Sequence, residues 1–212
     1  MRRFIGFVSI ASVLMLPVAA NPHVAAAGTR CTITGTSGDD RLTGTPRRDV
    51  ICGRGGHDII DGRRGNDVLI GGRGPDLLRA GSGDDELFGG SGNDVLYGHG
   101  GRDHLRGGRQ GDYMDGGDGR DRVLGGSGPD SVFGSVGNDI LRGQRGRDQV
   151  IGFRGDDLVL GGPGGELCIS SADGHRGDTV DGGPGVDAYN VDPGDIRRHV
   201  EIVSICDPGA SI

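Results

Sequence analysis

An aspartate stands at every ninth residue over most of the chain: Asp40, Asp49, Asp58, Asp67, Asp76, Asp85, Asp94, Asp103, Asp112, Asp121, Asp130, Asp139, Asp148 and Asp157, with Asp178 and Asp187 in looser phase. Carboxylate oxygens repeated in this way are ligands for a hard cation, and a large, flexible oxygen shell favours Ca2+ over Mg2+. Other chemistries are poorly served. There is no His-Glu-x-x-His zinc motif and no Gly-x-Ser-x-Gly elbow, and without any Lys no P-loop is possible. His57, His99, His104 and His175 are scattered in or beside the repeats and read as solvated. The expectation is a protein without catalytic activity.

The aspartates belong to a nine-residue unit, seen cleanly in Gly89-Gly90-Ser91-Gly92-Asn93-Asp94-Val95-Leu96-Tyr97. Fifteen such units tile residues 35–169 without a gap. Position 1 is Gly except at Ala80, and position 4 is Gly except at Arg47 and Gln110. Position 6 is Asp until Glu166 in the last copy, and position 8 is apolar throughout, from Leu42 and Ile51 to Cys168. Glycines at positions 1 and 4 predict a tight turn over positions 1 to 6. Positions 7 to 9 predict a short strand with position 8 facing inward. One nonapeptide cannot bury that residue alone, whereas a stack of them can. Ser170, Ser171 and Ala172 break the register, and two weaker units follow at Asp178 and Asp187.

Fifteen in-phase copies resemble the RTX, or haemolysin-type, calcium-binding repeat family. The resemblance implies an all-β fold, a parallel β-roll (a two-sheet right-handed β-helix solenoid) with terminal caps. Two units then make one turn, so odd copies build one sheet and even copies the other. Calcium is implied between neighbouring turns, held by position-6 carboxylates and by carbonyls of the Gly-rich turns. With turns 18 residues apart the acids stack in two columns at a strand spacing of about 4.8 Å. Neighbouring carboxylates would then repel by roughly 3 kcal/mol at an effective dielectric near 20, which demands counter-ions. The intervals in the two columns predict about 13 calcium sites. The weakest are expected at Arg47 and Glu166, with Gln110 relieved if Gly111 absorbs the strain. Folding should be coupled to calcium uptake.

Composition supports this and excludes much else. Gly supplies 47 of 212 residues, aromatics 4 %, and Trp none, so no broad core of large side chains can form. Collagen would need Gly at every third residue, and disorder would not hold an apolar residue in phase. The formal charge of −7 argues against nucleic-acid binding. Arg2 and Arg3 followed by the apolar run Phe4 to Leu16 predict a secretory signal peptide over residues 1–27, too short an apolar run to span a bilayer. Its loss would take the charge from −7 to −9 by removing two Arg. Four Cys in an exported chain predict disulfides, Cys31–Cys52 and Cys168–Cys206 from their grouping at the two ends. The expected domains are a cap at 28–34, the roll at 35–190 and a cap at 191–212, with Val200 to Ile205 as a covering strand. The function expected is a secreted, extracellular calcium-binding β-roll. The alternative is a calcium-stabilised adhesion or matrix module that uses an outer face against a surface glycan or protein.

Overall fold

The computed structural model describes residues 30–164, 168–170, 177–184, 189–190 and 196–198. Every regular element among them is a strand, numbered β1 to β19 in chain order. Odd strands form one parallel sheet in the order β1 (Ile33–Thr34), β3 (Val50–Gly55), β5 (Val68–Arg73), β7 (Glu86–Ser91), β9 (His104–Arg109), β11 (Arg122–Ser127), β13 (Ile140–Arg145), β15 (Leu158–Leu160), β17 (Thr179–Asp181) and β19 (Ile196–Arg198). Even strands form the other, from β2 (Arg41–Thr43) through β4 (Ile59–Arg64), β6 (Leu77–Ser82), β8 (Val95–Gly101), β10 (Tyr113–Gly119), β12 (Ser131–Val136), β14 (Gln149–Arg154) and β16 (Cys168–Ser170) to β18 (Tyr189–Asn190). The molecule is a parallel β-roll. Leu69 pairs with Leu87 and Leu87 with Leu105, so one turn takes two nonapeptides.

The core is one side chain wide from each strand. Ile51, Leu69, Leu87, Leu105, Val123 and Leu141 of one sheet pack with Ile60, Leu78, Leu96, Met114, Val132 and Val150 of the other, all essentially solvent-free. Each such side chain contributes roughly 1.5–3 kcal/mol of burial. This replaces the broad core that the composition excludes.

The strands are longer than three residues. From β3 to β14 each begins at position 7 and runs at least to position 3 of the next unit, leaving little more than positions 4 to 6 as turn. The ladder continues because positions 2 and 3 still find partners one turn away, as in Arg54 with Gly72 and Gly55 with Arg73. The left-handed backbone falls at positions 2 and 4 and not at position 1. At position 2 it is imposed even on Arg54, Arg63, His99, Ser135, Gln144 and Phe153, with φ between 67° and 83°.

The ends depart from the regular register. Ile33 pairs with Ile51 as the outermost strand of its sheet, and the Cys31–Cys52 disulfide ties that strand down, with Cα atoms 6.0 Å apart. Cys31 and Cys52 pack with Val50 and Val68, so these outward-facing valines are buried. At the other end Val150 pairs with Ile169, which corrects the placing of Cys168 at the inward register: Cys168 aligns with Gln149 at position 7. The step from Val150 to Ile169 is thus 19 residues, and in the other sheet the step from Val159 to Val180 is 21. β19 then continues the sheet beyond the expected end of the repeats. The signal segment, Glu166, Asp187, Cys206 and the expected strand at 200–205 lie outside the described residues. Among the described residues no helix is long and apolar enough to cross a membrane.

Candidate metal centre

Position 6 closes each turn and sends its side chain back under the neighbouring loop. Aspartates from Asp49 to Asp157, and Asp178, are buried. From Asp58 onward each Oδ1 accepts the backbone N–H of the aspartate one turn earlier: Asp94 donates to Asp112 at 2.9 Å, Asp112 to Asp130 at 2.9 Å and Asp130 to Asp148 at 3.0 Å. The second column repeats this, with Asp103 donating to Asp121 at 2.8 Å and Asp121 to Asp139 at 2.7 Å. Asp157 reaches Asp178 across the 21-residue step at 2.6 Å. The structure therefore gathers the aspartates from Asp40 to Asp178 into the two expected columns. Each column is hydrogen-bonded and not merely stacked.

Oδ2 is the unspent atom. In every unit from Asp58 to Asp148 it is buried and accepts no hydrogen bond from a described residue. It lies over the position-1 residue of its own unit, and the position-1 carbonyl of the next turn lies there too. A Cβ placed on Gly62 would stand 2.7 Å from Asp67 Oδ2 and 2.7 Å from the Ala80 carbonyl oxygen. On Gly134 it would stand 2.5 Å from Asp139 Oδ2 and 2.7 Å from the Gly152 carbonyl oxygen. Two oxygens converge where a side chain would begin, which favours glycine at Gly62 and Gly134 although neither backbone is left-handed.

Two acceptors facing each other in a buried site lack something positive between them. Burial pushes the carboxyls of Asp67, Asp94 and Asp121 up to about 6. Burial raises Asp76, Asp103, Asp130 and Asp139 to about 7, and Asp112 to about 8. Asp58, Asp85 and Asp148 are raised for the same reason. Repulsion between neighbours adds to several of these but is the smaller cause. The cost of the bare columns is thus chiefly lost hydration, not the mutual repulsion that stacking alone predicts.

The first two units are built differently. Thr36 N–H and Oγ1–H donate to Asp40 Oδ2 at 2.6 and 3.0 Å, and Thr45 does the same to Asp49 Oδ2 at 2.7 and 2.8 Å. The Thr45 N–H holds the Asp49 carboxyl below its usual range. Arg47 sits in this threonine-closed turn and has no left-handed backbone. Gln110 carries the left-handed strain itself, with φ 75°, so Gly111 does not absorb it. Ala80 puts a fully buried methyl group at position 1, in the cradle of Asp85. A second ladder escaped the sequence reading. At position 5, Asp39 Oδ1 accepts the His57 N–H, Asp84 Oδ1 the Arg102 N–H and Asn93 Oδ1 the Gly111 N–H. The signal was there in the Asp and Asn residues recurring at that position.

The donor set fits a hard divalent cation: one anionic oxygen and one carbonyl oxygen per nine-residue unit, buried, adjacent and lacking a proton donor. Among the described residues no three His, Cys, Asp or Glu side chains meet at one point, so backbone carbonyls must complete any shell. A family model described as the RTX calcium-binding nonapeptide repeat matches residues 34–69, 61–96, 70–105, 97–132 and 133–165. No curated protein matches the chain.

Proposed function

The chain belongs to the RTX calcium-binding nonapeptide repeat family, and we propose that it is a secreted β-roll that takes up Ca2+ along both aspartate columns and has no catalytic role of its own. The observation that carries this is the unpartnered Oδ2 of every unit from Asp58 to Asp148, set against a carbonyl of the next turn wherever position 1 is Gly. Asp58, Asp67, Asp76, Asp85, Asp94, Asp103, Asp112, Asp121, Asp130, Asp139 and Asp148 are the principal ligands. Asp157 and Asp178 extend the columns at one end, and Asp187, outside the described residues, is expected to serve as a further ligand. Asp40 and Asp49, already capped by threonine, are the weakest members. Bound calcium supplies the positive charge that the desolvated carboxylates lack.

The rest of the chain supports export. The expected signal peptide at 1–27 precedes the roll, and the Cys31–Cys52 disulfide suits an oxidising compartment. The caps at 28–34 and 191–212 are retained as part of this reading. Titration calorimetry and far-UV circular dichroism test it. Expected are about a dozen ions per chain and β-structure that appears with calcium. A stoichiometry near zero, or a fully formed roll in saturating chelator at neutral pH, refutes it. The second reading, an adhesion or matrix module, is favoured by one observation: a basic groove on the outer face of the ten-stranded sheet.

A further inference from the structure

The outer face of the ten-stranded sheet carries a trench of about 650 Å3 running across the strands, along the roll axis. Its floor is Gly72, Gly90, Gly108 and Gly126, the position-2 residues of β5, β7, β9 and β11, which stack in register without side chains. Arg54 and Gln144 hold the same position at the two ends and close the floor there. One wall is Ile70, Phe88 and Arg106. The other is a register row in which Arg73 pairs with Ser91, Ser91 with Arg109 and Arg109 with Ser127, and Arg145 continues the row beyond the trench. No acidic residue lines it, on a chain whose formal charge is −7.

From these residues we infer that the trench binds a linear acidic polysaccharide bearing a carboxylate on every second sugar. The wall alternates guanidinium and hydroxyl at successive strands. Equivalent Arg residues are therefore about 10 Å apart, two strand spacings, close to the length of a disaccharide in an extended chain. Arg presents a planar fork that matches a carboxylate. The Ser91 and Ser127 hydroxyls between them donate to the Gly72 and Gly108 carbonyls at 3.4 Å and keep lone pairs to accept from a sugar hydroxyl, and Phe88 offers an apolar face for a pyranose ring. A peptide strand is a poorer occupant, because β-augmentation needs a sheet edge and this floor is mid-sheet, with its backbone already paired. The site exists only in the folded roll, so the inference rests on the calcium-stabilised reading above.

The test is fluorescence anisotropy of end-labelled hyaluronan oligosaccharides titrated with the calcium-loaded chain, folding being checked first by circular dichroism. Dextran serves as the neutral glycan and poly-glutamate as the acidic peptide. Expected is saturable hyaluronan binding that falls with added salt, with no dextran binding and weaker poly-glutamate binding. Replacing the exposed pair, Arg73→Ser with Arg109→Ser, should weaken binding by roughly tenfold and leave the calcium titration unchanged. Arg79→Ser, exposed on the nine-stranded sheet, should change neither. Absence of hyaluronan binding by the folded roll, undiminished binding by the double variant, or equal binding of poly-glutamate each overturns the inference. A roll already folded in chelator would refute the calcium reading instead, and the same glycan titration would still decide the trench.

Discussion

Asp112→Asn separates the two jobs of the position-6 side chain. Oδ1 accepts the Asp94 N–H at 2.9 Å, and the asparagine carbonyl preserves that bond. Oδ2 faces the Gly125 carbonyl across the cradle of Gly107, with no hydrogen between them, and burial pushes this carboxyl up to about 8. An amide N–H in place of Oδ2 donates to that carbonyl. Without calcium, and above about pH 8 where this carboxyl is ionised, the substitution should therefore stabilise the roll, by at least about 1–2 kcal/mol for a satisfied buried pair in place of two facing acceptors. With calcium the sign should reverse. A site with a dissociation constant of about 10⁻⁴–10⁻³ M contributes roughly 1.4–2.7 kcal/mol at about 10 mM calcium. Asp112 borders an interval on each side, so the loss is about 3–5 kcal/mol and exceeds the gain. Asp112→Ala, which also abandons the Asp94 N–H, should destabilise both states. The assay is urea denaturation followed by circular dichroism in calcium. In chelator it is the amount of trimethylamine N-oxide needed to fold each variant. If Asp112→Asn is as harmful in chelator as in calcium, Oδ2 is not a cation ligand awaiting its charge.

Acidity should act in the same direction as that substitution. Burial raises the folded-state carboxyls from 3.8 to between about 6 and about 8, so the metal-free roll binds protons more tightly than the unfolded chain. Its stability should be fullest below about pH 4 and be lost as pH rises through 6 to 8; a circular-dichroism series in chelator that strengthens with rising pH would contradict this. Ala80→Gly empties the Asp85 cradle and should tighten calcium binding or add one ion by calorimetry, and an unchanged isotherm counts against the cradle. Gly116→Ala should do the reverse, since its methyl group would stand 2.6 Å from Asp121 Oδ2 and 3.0 Å from the Gly134 carbonyl. Gln110→Gly, at φ 75°, should raise stability by about 1 kcal/mol through relief of left-handed strain. Arg47→Gly should give no such gain, because Arg47 is not left-handed; thermal midpoints in calcium compare the two.

Much of the roll is legible in period alone. Position 8 never admits a polar residue, and that strictness places Leu42, Ile51 and their successors inside and the aspartates in two columns. The reasons behind the glycines are less legible. Gly at position 1 and Gly at position 4 look alike in the sequence, yet one avoids two oxygens and the other adopts a left-handed backbone. Position 2 hides its left-handed φ because the fold forces it on Arg54 and Phe153 as readily as on Gly72. The register change at Cys168 could not be read, since Cys and Ile169 are both acceptable inward residues and only pairing with Val150 decides between them. Thr36 and Thr45 likewise look like ordinary turn residues until their hydroxyls are seen on Asp40 and Asp49.

Stacking imposes a period of 18 residues within each sheet, and everything needed to build the roll obeys it: the position-8 core, the Oδ1 ladder and the position-1 cradles. The Arg73, Ser91, Arg109, Ser127, Arg145 row has a period of 36. No element of the stack repeats at that interval, so stacking cannot account for the alternation. A need for general solubility would be met by Arg at every strand, and charge balance against the aspartates would follow their own 18-residue period. A ligand whose own repeat spans two strands is what the alternation matches. Exchanging Ser91 and Ser127 for Arg tests this directly. Such a variant adds charge but erases the alternation, so it should bind poly-glutamate more tightly than the parent does while gaining little for hyaluronan. An equal gain for both would mean that the trench reads charge alone.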